Sequence, residues 1–470
     1  MFKKFNPLRS ILAILIIFIP LYPKFPLVNV TGTYVAIRLD DIVIALSILV
    51  WLIYQIKNKF SFLKEPVTNL FIAYFVAIVA SFIVALFIFQ TDPIQILLLN
   101  LIRRFEYISL FFLTISTVKT KSDLKFPYIF LSIATLGTIL YGYGQKYFHL
   151  PVISTMNSEF SKGQILQLDV WTRISSTFAG HYDLAAFMSV VLIIIGGIAV
   201  TQKNILSKFV NIILWLMAFQ ILTMTASRVS VFSFYAGICL TLFLLRKYLW
   251  IIPVTLIFSF SIINSKDLNQ RLLATVPALT QQYRKYFPLK PTSTPQAVLP
   301  TPTIKVIAGI GQTIPVIKIT PKPTIIRHES LEEVIPIDAD VGVARSGEIR
   351  FNVEWPRAIT AFQKNILTGT GLGSITLATD NDYLRTLGES GLMGFITFSL
   401  IFIYFIYNSL NSIWRRNPGD YYVIILFGAL LTFLMNATLI DVFEASKTAY
   451  LFWIMMGIYY QVLKFTNSKT

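Results

Sequence analysis

About twelve apolar stretches, most of them long enough to cross ~30 Å of hydrocarbon as a helix, decide what this chain can fold into. They centre on Ser10–Tyr22, Asp41–Tyr54, Thr68–Phe89, Ile94–Thr117, Phe126–Phe148, Leu184–Val200, Lys208–Met224, Val229–Leu245, Tyr248–Ile263, Leu387–Tyr407, Tyr421–Ile440 and Thr448–Leu463. In lipid every backbone N–H and C=O needs an internal partner, so only helices and closed barrels span. A barrel would show short alternating segments, whereas these runs are continuous. Charged residues make up only 13% of the chain, against about 25% in a soluble domain. The expectation is an all-α polytopic membrane protein.

Charge placement orders the spans. One set of connections carries Lys3, Lys4 and Arg9; Lys57, Lys59 and Lys64; Lys119, Lys121 and Lys125; Lys203 and Lys208; Arg246 and Lys247; Arg415 and Arg416; Lys464 and Lys469. The short connections between them hold few cations and include Asp40, Asp41, Asp92, Asp441 and Glu444. The positive-inside rule then predicts both termini in the cytoplasm. The net charge of +17 is read as topology signal and affinity for anionic lipid, so nucleic acid is not an expected partner. The single cysteine, Cys239, falls inside a span and excludes an internal disulfide. Tyr22-Pro23-Lys24-Phe25 lacks the small residues of a signal-peptide cleavage site, so the first apolar run is read as a span.

This reading divides the chain into 1–263, with nine spans and an outer loop at about 149–183; 264–386, a large outer loop; and 387–470, with three spans. Within the large loop, Asp267–Phe287 has helical character. Lys290–Thr324, rich in proline and threonine, reads as an extended insert. A helix is predicted over Glu348–Lys364, where Arg350, Glu354 and Arg357 share one side at spacings of four and three. The G-x-G-x-G of Gly369-Thr370-Gly371-Leu372-Gly373 follows a helix and lacks a P-loop lysine, so it is read as a turn. Glycines 388, 391 and 394 are expected to permit close packing.

The chemistry-bearing candidates are mostly arginines. Arg228 sits in Thr225-Ala226-Ser227-Arg228, wedged between two apolar stretches with almost no loop to hold it. An arginine there needs an anion or a wet cavity, although an interface arginine that snorkels is an equal reading. Arg350 is expected on the same outer face, and guanidinium forks suit phosphate oxygens. In the fourth span Arg103 and Glu106 have the spacing of a pair, which leaves Arg104 seeking an anion; structural pairing and a polar cavity are equal readings. Asp338/Asp340 and Asp380/Asp382 form D-x-D patterns that could hold a divalent cation, but chance acidic loops are the preferred reading. Asp40 and Asp41 suit either a helix N-terminus or a catalytic role. His149, His181 and His328 show no metal-ligand spacing, and no metal or other cofactor is expected.

Three passages resemble the O-antigen ligase and O-antigen polymerase superfamily of bacterial membrane glycosyltransferases. Arg173 with Ser176-Thr177-Phe178 and Leu184-Ala185 is similar to the family's Arg, Gly-Thr-Phe, Leu-Ala passage. Thr225-Ala226-Ser227-Arg228 is similar to its Thr-x-Ser-Arg passage. Arg350–Trp355, Gly369–Gly373, Asn381-Asp382-Tyr383-Leu384 and Glu389–Gly394 resemble its late-loop block. The resemblance covers the whole topology and implies a GT-C-like all-α architecture in the cytoplasmic membrane, with an outward-facing site. It implies metal-independent transfer of a glycan from a polyprenyl-pyrophosphate donor to a hydroxyl on a glycan, glycolipid or glycoprotein acceptor. Arg228 and Arg350 would hold the pyrophosphate, with Arg173 assisting and Arg104 and Arg357 as further candidates. The family commonly has histidine where Asp380 stands, so the base would be Asp380, or His181, or neither. Two rival expectations are a transporter or flippase of lipid-linked sugars, and a lipid-phosphate sugar transferase using Asp40 and Asp41.

Overall fold

The computed structural model describes residues 7–29, 36–90, 93–153, 165–166, 173–265, 349–375, 379–415 and 421–467. The expected helix at Asp267–Phe287, the Pro/Thr-rich insert, His328, Asp338 and Asp340 lie outside the described residues. Thirteen α-helices are present among those described. They are α1 (Pro7–Leu21), α2 (Leu39–Lys57), α3 (Pro66–Val84), α4 (Ile94–Thr117), α5 (Lys125–Tyr147), α6 (His181–Thr201), α7 (Ile205–Met224), α8 (Arg228–Leu244), α9 (Ile251–Asn264), α10 (Trp355–Lys364), α11 (Asp382–Trp414), α12 (Tyr421–Asn436) and α13 (Ser446–Asn467). Each of the twelve apolar stretches coincides with one of them, and α10 belongs to the late hydrophilic segment. Six helical stretches are long and apolar enough to cross a membrane: Leu39–Lys57, Pro66–Phe89, Lys121–Tyr147, His181–Thr201, Ile205–Met224 and Asp382–Trp414. The protein is an all-α, multi-pass membrane protein. Among the described residues, strands are confined to two short antiparallel pairs, Pro26–Asn29 with Ala36–Arg38 and Val152–Ile153 with Ile165–Leu166.

Local chemistry sets several helix starts. Asn204 caps α7, its side chain accepting from the amides of Leu206 (2.9 Å) and Ser207 (3.3 Å). Pro66 opens α3, where its missing N–H is no loss. The Asp41 carboxylate accepts from the Arg38 amide at 3.0 Å in a capping box at the start of α2. Asp41 is therefore engaged as a helix-end carboxylate.

Helix α6 is the hub. Its side chains are buried almost all round, and it packs against α7, α8 and α12. Small residues permit the closest approaches. Gly237 of α8 lies against the Thr432 hydroxyl of α12, and Gly428 of α12 lies against the Thr241 hydroxyl of α8. A Cβ at either position would collide, which is how helices pack tightly where no hydrophobic force separates protein from lipid.

The bundle has two chemically different ends. At one, Lys464 meets Glu65 (2.7 Å), Arg9 meets Asp123 (3.6 Å), and Lys208 lies 4.8 Å from the Trp250 ring centre. The described members of the lysine- and arginine-rich set of connections gather there, whereas Lys24 and Arg38, between α1 and α2, lie at the other end. The other end collects the C-termini of α1, α3, α5, α7 and α12 and the N-termini of α2, α4, α6, α8, α11 and α13.

The late segment folds onto that second end. The predicted helix is confirmed from Ile349 onward, with a π-turn over Arg350–Glu354 before α10. The glycine turn follows, with Gly369, Gly371 and Gly373 all at positive φ. Sequence reasoning missed what the turn rests on. Helix α11 is broken at Gly391 (φ 62°, ψ −164°). The amides of Thr370 and Gly371 donate to the carbonyls of Gly388 (3.0 Å) and Glu389 (2.9 Å). The amides of Leu392 and Met393 donate to the carbonyls of Ile366 (2.8 Å) and Leu367 (3.0 Å). Backbone groups freed by the break are thus satisfied by the turn, as an interrupted helix in a membrane requires. Ser81 of α3 adds a hydrogen bond to the Glu389 carbonyl at 2.7 Å.

Candidate functional site

Arg228 owes its position to a reversal only three residues long. Thr225 closes α7 by donating its hydroxyl to the Leu222 carbonyl at 2.6 Å. Ala226 turns the chain with φ 51°, a left-handed conformation that side-chain-bearing residues rarely adopt. Ser227 precedes α8 and Arg228 begins it. A buried hydroxyl–amide chain fixes this corner: Ser227 donates to Ser230 (3.1 Å), Ser230 to the Asn436 carbonyl oxygen (2.6 Å), and the Asn436 amide to Ser189 (3.1 Å). Three helices, α6, α8 and α12, thereby agree on where the arginine emerges.

The passage before α6 is held as firmly. Gln145 exchanges two hydrogen bonds with the Ser176 backbone (2.7 and 2.9 Å), and the Ser176 hydroxyl donates to the Thr138 carbonyl at 2.7 Å. Lys447, fully buried, donates to the carbonyls of Pro20 (3.1 Å), Tyr22 (2.5 Å) and Thr177 (2.7 Å). Its ammonium also lies 5.0 Å from the Phe178 ring centre. This grip fixes the strand of chain that presents Arg173 and His181. Arg173 stands 2.6 Å from His181 Nε2. Arginine has no acceptor, so the imidazole nitrogen accepts, and that lone pair is occupied. As a base through Nε2, His181 first has to lose Arg173.

Arg350 and Asp380 form an ion pair, with Nη2–Oδ2 at 2.7 Å and Nε–Oδ2 at 2.9 Å. Asp380 has φ 48°. The amides on either side of it, Thr379 and Asn381, both donate to Asp441 (2.8 and 3.1 Å). Asp441 thus holds the chain that aims Asp380 at Arg350. Asp382 turns elsewhere, accepting from the amides of Val442 (2.8 Å) and Phe443 (3.2 Å). The two carboxylates of this D-x-D therefore serve different partners. Burial pushes the Asp380 carboxyl above its ordinary range against the pull of Arg350.

Arg228 lies within electrostatic reach of Tyr182, Arg350 and Arg173, and Tyr182 is in hydrogen-bonding range of Arg350. Arg228 thus has two other sequence-predicted arginines, Arg173 and Arg350, in its neighbourhood. Arg357 lies within electrostatic reach of Glu354. Arg104 is differently placed. It is ion-paired to Glu444 and stands 3.9 Å from Glu389, so the anions it was expected to seek come from within the chain. Arg103 and Glu106 do not form the expected ion pair.

One further group was noted in the sequence only for its helical spacing. Glu354, a turn beyond Arg350, has its carboxyl pushed up to about 7, by burial first and then by the charge of Asp380. Its Oε2 is buried and finds no hydrogen-bond partner among the described residues. A carboxyl that titrates near neutrality beside an arginine cluster is the pattern of a proton carrier. The i, i+4 spacing from Arg350 was the available signal; its burial was not legible.

No family model matches the chain. No curated protein is significantly similar to it.

Proposed function

We propose that this protein transfers an oligo- or polysaccharide from a polyprenyl-pyrophosphate donor to a hydroxyl group of a glycan, glycolipid or glycoprotein acceptor. The nearness of Arg228 to Arg173, Arg350 and Tyr182 carries the reading. In it about twelve helices cross the bacterial cytoplasmic membrane and both termini are cytoplasmic. The arginine-bearing end then faces outward.

The diphosphate accepts paired N–H groups from the guanidinium forks. The acceptor oxygen attacks the anomeric carbon, the bond from that carbon to the phosphate oxygen breaks, and the electron pair stays on the departing pyrophosphate. Fixed guanidinium charge stabilises the developing anion without reorganisation. Glu354, titrating near neutrality, is the better-poised group to take the hydroxyl proton. Asp380 is the second candidate, because Arg350 already engages its carboxylate. Arg104, satisfied by Glu444 and Glu389, positions α4 against α11 and α13.

Reconstituted protein supplied with a lipid-linked oligosaccharide and an acceptor tests the reading. Arg228→Ala and Arg350→Ala should stop glycan joining while the protein remains in the membrane, and a chelator should leave wild-type activity intact. Unchanged product from both variants, or lipid moved across the bilayer with no sugars joined, would replace it.

A further inference from the structure

We infer that the cavity between α5, α6, α7, α12 and α13 holds a resident anionic phospholipid of the bilayer. One acyl chain lies inside, and the headgroup lies at the basic end. The inference is independent of the glycan-transfer reading.

The cavity has a volume of about 940 Å³, near the top of the ~300–1,000 Å³ typical of small-molecule sites. Val191, Ile194, Met217, Leu426 and Met455 are among the side chains that make its walls apolar. It opens sideways. Ile129 and Ile133 of α5 and Val210 and Ile213 of α7 line it, yet they are 53%, 48%, 55% and 42% exposed. In a bilayer such a slot faces hydrocarbon, and an acyl chain can enter without crossing a polar barrier.

The ends of the cavity differ, and the difference orients the occupant. Towards the arginine cluster it stops beneath Ala186, Phe433 and Thr448. At the basic end polar groups take over. Tyr128 donates to Asn211 (2.7 Å), the Asn211 amide donates to Gln202 (2.9 Å), and all three residues line the cavity. Lys125 lines the same mouth, and Lys121 lies 5.9 Å from the ring centre of Tyr422, another lining residue. No aspartate or glutamate lines the cavity among the described residues. Asp123, between the two lysines in sequence, is engaged by Arg9 and by the amides of Lys119 and Thr120. Cationic side chains and amides at the mouth of an apolar slot between membrane helices match a phosphodiester headgroup above an acyl chain.

The full-length protein in phosphatidylcholine nanodiscs, doped with phosphatidylglycerol carrying a photoreactive acyl chain, provides the test. Peptides from α6 and α7 that face the cavity should be labelled. Replacing both Lys121 and Lys125 by alanine should lower that labelling roughly tenfold. Val191→Trp should block it by filling the slot. The lysine variant is confined to exposed side chains, so the result does not depend on tolerance of the core substitution. Three results would overturn the inference: equal labelling by a phosphatidylcholine probe, labels confined to outward-facing residues, or displacement of the probe by a polyprenyl phosphate. The last would assign the slot to a donor tail.

Discussion

At the basic end of the bundle, Lys464 is half exposed (51% of its side chain) and meets Glu65 across 2.7 Å in contact with solvent. At the opposite end Lys447 is fully buried, and its ammonium is spent on three backbone carbonyls. The same residue type serves two purposes. Exposed lysines set orientation and attract anionic lipid, and each pair contributes little because water already solvates the charge. A buried ammonium is costly unless every N–H is used, so it fixes geometry instead. The end where charge is buried is also the end where Arg173, Arg228 and Arg350 meet. Positioning charge for chemistry requires the scaffold that orienting a protein in a membrane does not.

That contrast can be broken by substitution. Arg228→Ala or Arg350→Ala at the buried end should lower glycan transfer by roughly 10²–10³-fold, the usual loss for one preorganised charge donor, read as product formed per reconstituted protein. Lys447→Met leaves three carbonyls without their donor and should destabilise the protein by about 3 kcal/mol, read as a lowered melting temperature in detergent. Glu354→Gln should lower transfer about 10²-fold and change the pH profile. Below about 7 the Glu354 carboxyl is protonated and cannot accept a proton. On the proposed function, wild-type transfer should therefore rise through that pH, and the glutamine variant should lose the inflection. A retained inflection would move the base elsewhere. Lys464→Ala at the basic end should change stability by no more than about 1 kcal/mol and leave transfer unaltered. A large effect there would erase the distinction between the ends.

Much of the frame was readable because lipid simplifies the problem. An uninterrupted apolar run has one regular solution, so all twelve stretches coincide with helices. The glycine turn was readable because Gly369, Gly371 and Gly373 mark positive φ. The break at Gly391 was not, since local pattern says helix on both sides, and it is the amides of residues 370 and 371 and the carbonyls of residues 366 and 367 that make it tolerable. For the site, the arginines stand out in sequence because charge is rare in such a chain. Their mutual distances depend on contacts such as Ser230 with Asn436 and Asp441 with the Asp380 backbone, which no local pattern encodes. Arg104 shows the opposite failure. It was expected to seek an anion from outside the chain, and it finds carboxylates 285 and 340 residues later, Glu389 and Glu444.

The grip of Lys447 on the end of α1 also sets a timetable. The carbonyls of Pro20 and Tyr22 leave the ribosome well before their donor, which follows 427 and 425 residues later. Until α13 is inserted, the end of α1 waits with these contacts unmade. The arginine-bearing end is thus completed only after α13 is in place.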